Sequence, residues 1–175
     1  MKAQQGFEKN LNIQPLATSS KDDFDFLVGT WNVENRKLVD RLSNSDEWIE
    51  FDVVLEMRKT LLGIGNFETF TAEIDGKPFA GEAVRLFDPA TRLWSIYWAD
   101  SNFGQLDKVP VVGSFDGDIG RFYAPGEFNG KPIKVLYQWD KTDPVHPIWS
   151  QAFSVDKGET WEWNWYMTLT RKVAE

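Results

Sequence analysis

The chain has no cysteine and a single histidine, His146, in 175 residues. Disulfides, thiol nucleophiles, iron–sulfur clusters and cysteine-type zinc sites are therefore excluded, and so is a multi-histidine metal site within one chain. Basic residues are outnumbered: 19 Lys and Arg stand against 27 Asp and Glu, a net charge of −8, with no basic run of five or six. Such a chain has no electrostatic reason to bind nucleic acid or an anionic bilayer. Long apolar runs are missing too. Stretches such as Val53-Val54-Leu55 are far too short to cross a bilayer. The segment Met1 to Asn10 lacks the apolar core of a secretory signal, so a cytoplasmic location is expected. No repeat, linker or low-complexity segment is visible, and no residue pattern calls for a cofactor or a metal. Aromatic residues are abundant: 9 Trp, 4 Tyr and 13 Phe make up 15% of the chain.

The order of patterns predicts an all-β protein. A short helix is expected over Ser20 to Val28, with Ser20 as cap, Asp22, Asp23 and Asp25 in the first turns, and Gly29 as terminator. Strands are then expected over Thr30–Asp40, Glu47–Thr60, Asn66–Ile74, Pro78–Phe87, Arg92–Ala99, Val111–Phe115, Gly120–Phe128, Ile133–Asp140, Ile148–Val155 and Trp161–Arg171. The second shows strict alternation, with Ile49, Phe51, Val53, Leu55 and Met57 on one face. Turn chemistry separates the strands: Asp75-Gly76-Lys77, Asp88-Pro89-Ala90, Asp116-Gly117-Asp118, Asn129-Gly130-Lys131-Pro132 and Asp156-Lys157-Gly158. About ten strands in one domain of this size close into a barrel, because closure removes exposed edges. Residues 1–18 are read as an N-terminal arm and 19–175 as a single barrel domain.

The run Asp25-Phe26-Leu27-Val28-Gly29-Thr30-Trp31 brings a short helix into Gly-x-Trp at the first strand. It resembles the opening of the calycin superfamily, the lipocalins and their relatives. The resemblance implies an antiparallel up-and-down calycin-like barrel in which Trp31 closes the bottom and Arg171, from the last strand, packs across its ring. A guanidinium plane over an indole has a physical reason to be there. The runs Phe24 to Trp31, Leu86 to Arg92, Trp94 to Ser101 and Trp149 to Ser154 are also similar to a bacterial domain family of unassigned function with a calycin-like barrel. That likeness runs from about Asp23 to Arg171 and carries no reaction with it.

If Arg171 faces inward, alternation places Leu169, Met167, Trp165 and Trp163 inward and Glu162 and Asn164 outward. The same rule points Trp94, Ile96 and Trp98 inward, then Val135, Tyr137 and Trp139, then Trp149, Gln151 and Phe153. The expected ligand-binding set is Asn35, Arg85, Trp94, Trp98, Tyr137, Trp139, Trp149, Gln151, Trp163 and Trp165. A concave aromatic space with few polar anchors is the form of a small-molecule site, although the same rings would also fill a solid core. A barrel of about ten strands is wider than side chains alone fill. An inward Arg85 needs a partner, either an anionic ligand group or an inward carboxylate, Glu68 or Glu82.

Other motifs carry less. Ser154-Val155-Asp156-Lys157-Gly158-Glu159-Thr160-Trp161 matches the turn box of sialidase-type propellers, but it occurs once and reads as a hairpin. His146 lies between Pro144 and Pro147 in a loop. A related barrel family binds haem through one histidine, so haem binding through His146 is one alternative, and a solvated loop residue is the other. No Gly-x-Ser-x-Gly elbow supports a catalytic triad. Asp100 and Tyr137 are the best acid–base candidates, with Tyr97 beside them, and Asp100 also reads as a turn cap. Two functions follow. One is binding of a small apolar or aromatic ligand, with an anionic group for Arg85. The other is a cofactor-free isomerase, cyclase or hydrolase in the same space. Exposed Phe and Trp leave a homodimer open.

Overall fold

A computed structural model describes residues 11–74 and 76–172. Ten strands form one closed barrel: β1 (Gly29–Leu38), β2 (Trp48–Thr60), β3 (Gly65–Ile74), β4 (Lys77–Asp88), β5 (Leu93–Asp100), β6 (Val111–Asp116), β7 (Ile119–Phe128), β8 (Lys131–Asp140), β9 (Ile148–Ser154) and β10 (Glu162–Arg171). Every strand pairs antiparallel with its sequence neighbour, and β1 pairs with β10 to close the ring. This is the expected calycin-like, up-and-down topology. Asp75 of the expected third turn lies outside the described residues, as do residues 1–10 of the expected arm. No helix among the described residues is long and apolar enough to cross a membrane.

The expected helix over Ser20–Val28 is reduced to one 3₁₀ turn, Asp25–Leu27. The reason is visible in its carbonyls, which barrel side chains claim before a helical ladder can. Trp94 Nε1 donates to Ser20 O (3.1 Å), Lys141 Nζ to Asp23 O (3.2 Å), and Trp31 Nε1 to Leu27 O (2.9 Å). Arg171 donates to Phe26 O (2.9 Å) and Val28 O (2.8 Å). Phe24 and Leu27 are buried, so the segment acts as a plug in the barrel base. The Phe24 ring meets Trp94 and Phe115 edge-on at 4.9 and 5.2 Å and stacks on Phe122 at 5.7 Å. Arg171 lies 4.1 Å over the Trp31 ring, and the two residues are register partners of β1 and β10. The packing implied by the family likeness is thus present.

Residues before the plug are tied to the same end. Asp88-Pro89-Ala90-Thr91 forms a tight turn in which the Asp88 carboxylate accepts from Ala90 N (2.8 Å) and Thr91 Oγ1 (2.9 Å). The turn presents Arg92, whose Nη2 donates to the carbonyls of Leu16, Ala17 and Ser19. The propeller-like box is a hairpin between β9 and β10. Ser154 Oγ donates to Asp156 Oδ1 (2.7 Å) and accepts from Gly158 N (2.7 Å). These bonds hold the Asp156 carboxyl well below the usual range, chiefly through Thr160.

Two departures from regularity shape the wall. β5 and β6 share only three register pairs, Trp94 to Ile96 against Gly113 to Val111. The connection after Asp100 completes that side, with Asp107 N donating to Trp98 O (2.8 Å). In β10 the register shifts between Trp163 and Trp165, a β-bulge at Asn164.

Replacing Arg171 by Ala removes the stack on Trp31 and two charge-assisted bonds to the plug. The expected loss is about 2–4 kcal/mol in denaturant unfolding. Lys at this position recovers less than half, since it lacks the planar fork. A variant as stable as the parent would show that the plug is held by Phe24 and Leu27 alone.

Candidate functional site

Plug and strands together fill the lower barrel and leave the upper part hollow. An inner cavity of about 200 Å³ is lined by Trp98, Trp139, Trp149 and Trp165, with Tyr137, Phe70, Ile96, Met167, Ala83, Gln151, Glu68 and Arg85. A second space of about 220 Å³ adjoins it at Tyr137 and Gln151 and reaches Asp107, Val111, Ile133 and Phe153 toward the mouth. Protein interiors rarely keep voids larger than a water, and an apolar void of the inner size forfeits on the order of 5 kcal/mol of packing.

Each wall ring has a local cause for its position. Trp165 Nε1 donates to Asn35 Oδ1 (2.9 Å), so Asn35 positions a wall residue from behind and is not itself part of the wall. Tyr137 and Trp149 meet edge-on at 5.0 Å, and Trp149 and Trp165 at 5.5 Å, forming a continuous aromatic surface. Trp98 lies across Gly81, its neighbour on β4, where any Cβ would collide with the indole. Gln151 Nε2 donates to Asn164 Oδ1 (2.9 Å), which ties β9 to the bulge.

Two expected rings also sit elsewhere. Trp163 lies on the outer face, stacked on Tyr166 at 6.4 Å. The bulge is the reason: Asn164 takes an extra inward place, fully buried, and strict alternation fails N-terminal to it. Trp94 does face inward, but in the base against Phe24 and Phe87, below the cavity. The remaining expected rings, Trp98, Tyr137, Trp139, Trp149 and Trp165, converge as anticipated. Phe70, Ile96, Met167 and Ala83 complete the wall and were not singled out from sequence. Their parity on apolar strands was the available signal.

Arg85 is paired, and the bland alternative holds. Its Nη2 donates to Glu68 Oε2 at 2.6 Å and its Nη1 to Asn66 Oδ1 at 3.1 Å, with both side chains of the ion pair 3% exposed. Glu82 takes no part in these contacts. The guanidinium stands 5.0 Å over Phe24 and 5.9 Å over Trp139. An anion at this depth would meet a neutralised pair, so Arg85 is not the anion receptor expected of it. Its Nε, and Trp139 Nε1, are buried without a hydrogen-bond partner among the described residues. Two wall residues therefore hold unused N–H donors.

Charge collects at the mouth. Lys37 continues the inward row of β1 beyond Asn35, and its ammonium lies 4.1 Å over the Trp165 ring. Arg41, in the β1–β2 loop, stacks 4.8 Å over Phe128 and 5.6 Å over Phe153. Burial pushes the Lys37 ammonium down to about 8, with Arg41 adding to the shift and Asp100 opposing it. Neither cation was singled out from sequence, because a Lys at a strand end and an Arg in a polar loop look like solvated charges.

The acid–base candidates have defined places. Asp100 caps the turn after β5, its Oδ1 accepting from Asn102 N at 2.8 Å. Burial raises the Asp107 carboxyl. Tyr137 is partly buried, and burial pushes its phenol upward, so it is a neutral hydrogen-bonding group at ordinary pH. His146 sits on the β8–β9 loop at the closed end, half exposed, with Nδ1 3.2 Å from Asp143 Oδ2. That loop follows Lys141, which holds the plug, and His146 touches neither space. It is in no position to ligate a group held inside.

Two measurements check this electrostatic map. Glu68→Gln leaves Arg85 charged and buried without its counter-ion, and is expected to cost about 3–5 kcal/mol in urea unfolding. The pair replacement Glu68→Leu with Arg85→Met is expected to recover most of that loss; additive destabilisation would speak against the pair. Lys37 has a folded pKa near 8 against an ordinary 10.5, so the folded chain binds fewer protons between these values. Stability from this group is expected to rise as pH increases from about 8 to about 10. Unfolding midpoints of the parent and Lys37→Met, compared at both ends of that window, should diverge in the parent's favour as pH rises. Parallel curves would mean that Lys37 is freely solvated.

No family model matches the chain, and no curated protein matches it. Among solved structures, the S-type phycobiliprotein lyase CPES from Guillardia theta is similar, with a TM-score of 0.59, 10% identity, and coverage of 91% of this chain and 96% of that one. Rv2717c from M. tuberculosis is similar with a TM-score of 0.53, 15% identity, and coverage of 90% and 99%. At these identities the likeness is one of fold: the chain has the calycin-like barrel that both neighbours share over nearly their full length.

Proposed function

We propose that the protein binds a small, flat, apolar or aromatic molecule inside the barrel. The observation that carries this is the inner cavity itself: about 200 Å³, walled by four indoles and a phenol. Rings of this kind offer large contact area at little entropic cost. Sites for drug-sized ligands run from about 300 Å³ upward, which points to a guest smaller than that, or to one extending into the mouth space. The lining favours binding over catalysis: Glu68 is locked to Arg85, and Tyr137 is held neutral. The barrel form shared with a phycobiliprotein lyase is compatible with an interior that takes a small molecule.

The test uses naphthalene-2-carboxamide as probe and ¹H–¹⁵N spectra of the Trp side chains as readout. The indole N–H signals of Trp98, Trp139, Trp149 and Trp165 are expected to shift on titration, and those of Trp48 and Trp161 to stay. Ala83, buried in the wall, offers a blocking position. Ala83→Phe is expected to weaken the probe at least about tenfold by filling the cavity. Unmoved wall indoles at millimolar probe would overturn the proposal.

A further inference from the structure

The mouth of the barrel holds two cations, Lys37 and Arg41, that stand over aromatic rings. Lys37 stacks on Trp165, a ring of the inner cavity, and Arg41 stacks on Phe153, a ring of the mouth space. Among the described residues neither makes an ion pair within 4.0 Å. The nearest acids, Glu162 and Asp100, act on them from a distance and bond backbone amides instead of pairing with them. Both oxygens of Glu162 accept from Leu42 N at 2.9 Å, and Asp100 holds the Asn102 amide. Arg41 Nε is buried without a hydrogen-bond partner. Phe128 and Phe153 cover the guanidinium face, which leaves its N–H edge as the reactive side. Edge-on N–H pairs are what a carboxylate takes.

We infer that Lys37 and Arg41 form a clamp for an anionic group, so that the natural ligand is an aromatic carboxylate whose ring enters the indole-lined cavity while its charge stays at the mouth. The inference rests on the cavity reading above and adds the ligand's charge and orientation. Two like charges held together on half-buried side chains repel, and an anion between them turns that repulsion into attraction. The floor cannot serve this role, because Arg85 is already neutralised by Glu68. The polarity is thus fixed: apolar end down, charged end up. Lys37 and Arg41 also come from different places, a strand end and a loop. Only the folded β1–β2 connection, pinned by Leu42 to Glu162, brings Arg41 over the opening.

Naphthalene-2-carboxylate and naphthalene-2-carboxamide are nearly isosteric and differ in charge, so the pair separates the two readings. With the parent protein, the carboxylate is expected to bind at least about tenfold tighter than the amide, the scale of one charge-assisted interaction. In K37M/R41M the two probes are expected to fall within about twofold of each other. Lys37→Met alone is expected to show an intermediate ratio, which guards against a misfolded double variant. The carboxylate's advantage in the parent is expected to shrink in 0.5 M salt. Equal affinities in the parent would overturn the clamp and leave the cavity reading standing. An advantage that survives in K37M/R41M would place the anion elsewhere and overturn it too. Failure of both probes to move the wall indoles would overturn the cavity reading and the clamp together.

Discussion

The stack of Arg171 on Trp31 is the constraint from which the rest of the molecule follows. It sits at the register point where the first and last strands meet, so it seals the ring and anchors the N-terminal plug in one place. The same guanidinium binds two plug carbonyls, and Trp31 binds a third. The segment so held runs through a single 3₁₀ turn and carries Phe24 into the base. There Phe24 completes an aromatic cluster with Trp94, Phe115 and Phe122. The filling stops at the level of Arg85. Below it the aromatic cluster packs the base; above it lies the indole-lined cavity.

Polarity is sorted along the same axis. At the floor, a carboxylate and a guanidinium cancel one another in nearly complete burial. At the mouth, an ammonium and a guanidinium stand against aromatic faces without a direct ion-pair partner among the described residues. Between them lie only rings, amides and a neutral phenol. The low-dielectric interior makes this arrangement consequential, since charge at either end is felt more strongly there than at a free surface.

Much of this was legible in the residues, and the failures share one cause. Alternation on β5, β8 and β9 placed Trp98, Tyr137, Trp139 and Trp149 correctly, because those strands are regular and both faces differ in polarity. Gly-x-Trp and the terminal Arg gave the base. The expected helix is too long because Ser20 and Asp23 do make capping bonds, Ser20 Oγ accepting from Asp22 N at 3.2 Å and the Asp23 carboxylate from Ser20 N at 2.9 Å, but only around a turn that no helix continues. Trp163 was misplaced because nothing local marks a bulge; Asn164 looks like any outward polar residue. Arg85 showed that alternation gives direction and not partnership. Lys37 and Arg41 escaped notice because their environment is assembled by contacts across the barrel, such as Trp165, Phe128 and Phe153, which no spacing along the chain records.

The bulge at Asn164 makes the composition of the wall depend on how many residues the strand has, and not only on which ones. From Glu162 to Tyr166 the strand carries three aromatic rings within four positions, and a single added or lost residue exchanges the faces of everything before it. Without the extra residue, the indole now outside would turn inward and Asn164, with its bond to Gln151, would be lost from the lining. A one-residue change in length therefore acts as a coarse dial on the interior, trading an amide for an indole while the fold and every strand partner stay the same. Relatives of this barrel that differ by one residue between the β9–β10 turn and the terminal Arg should differ in what they hold, even where the rest of their walls agree.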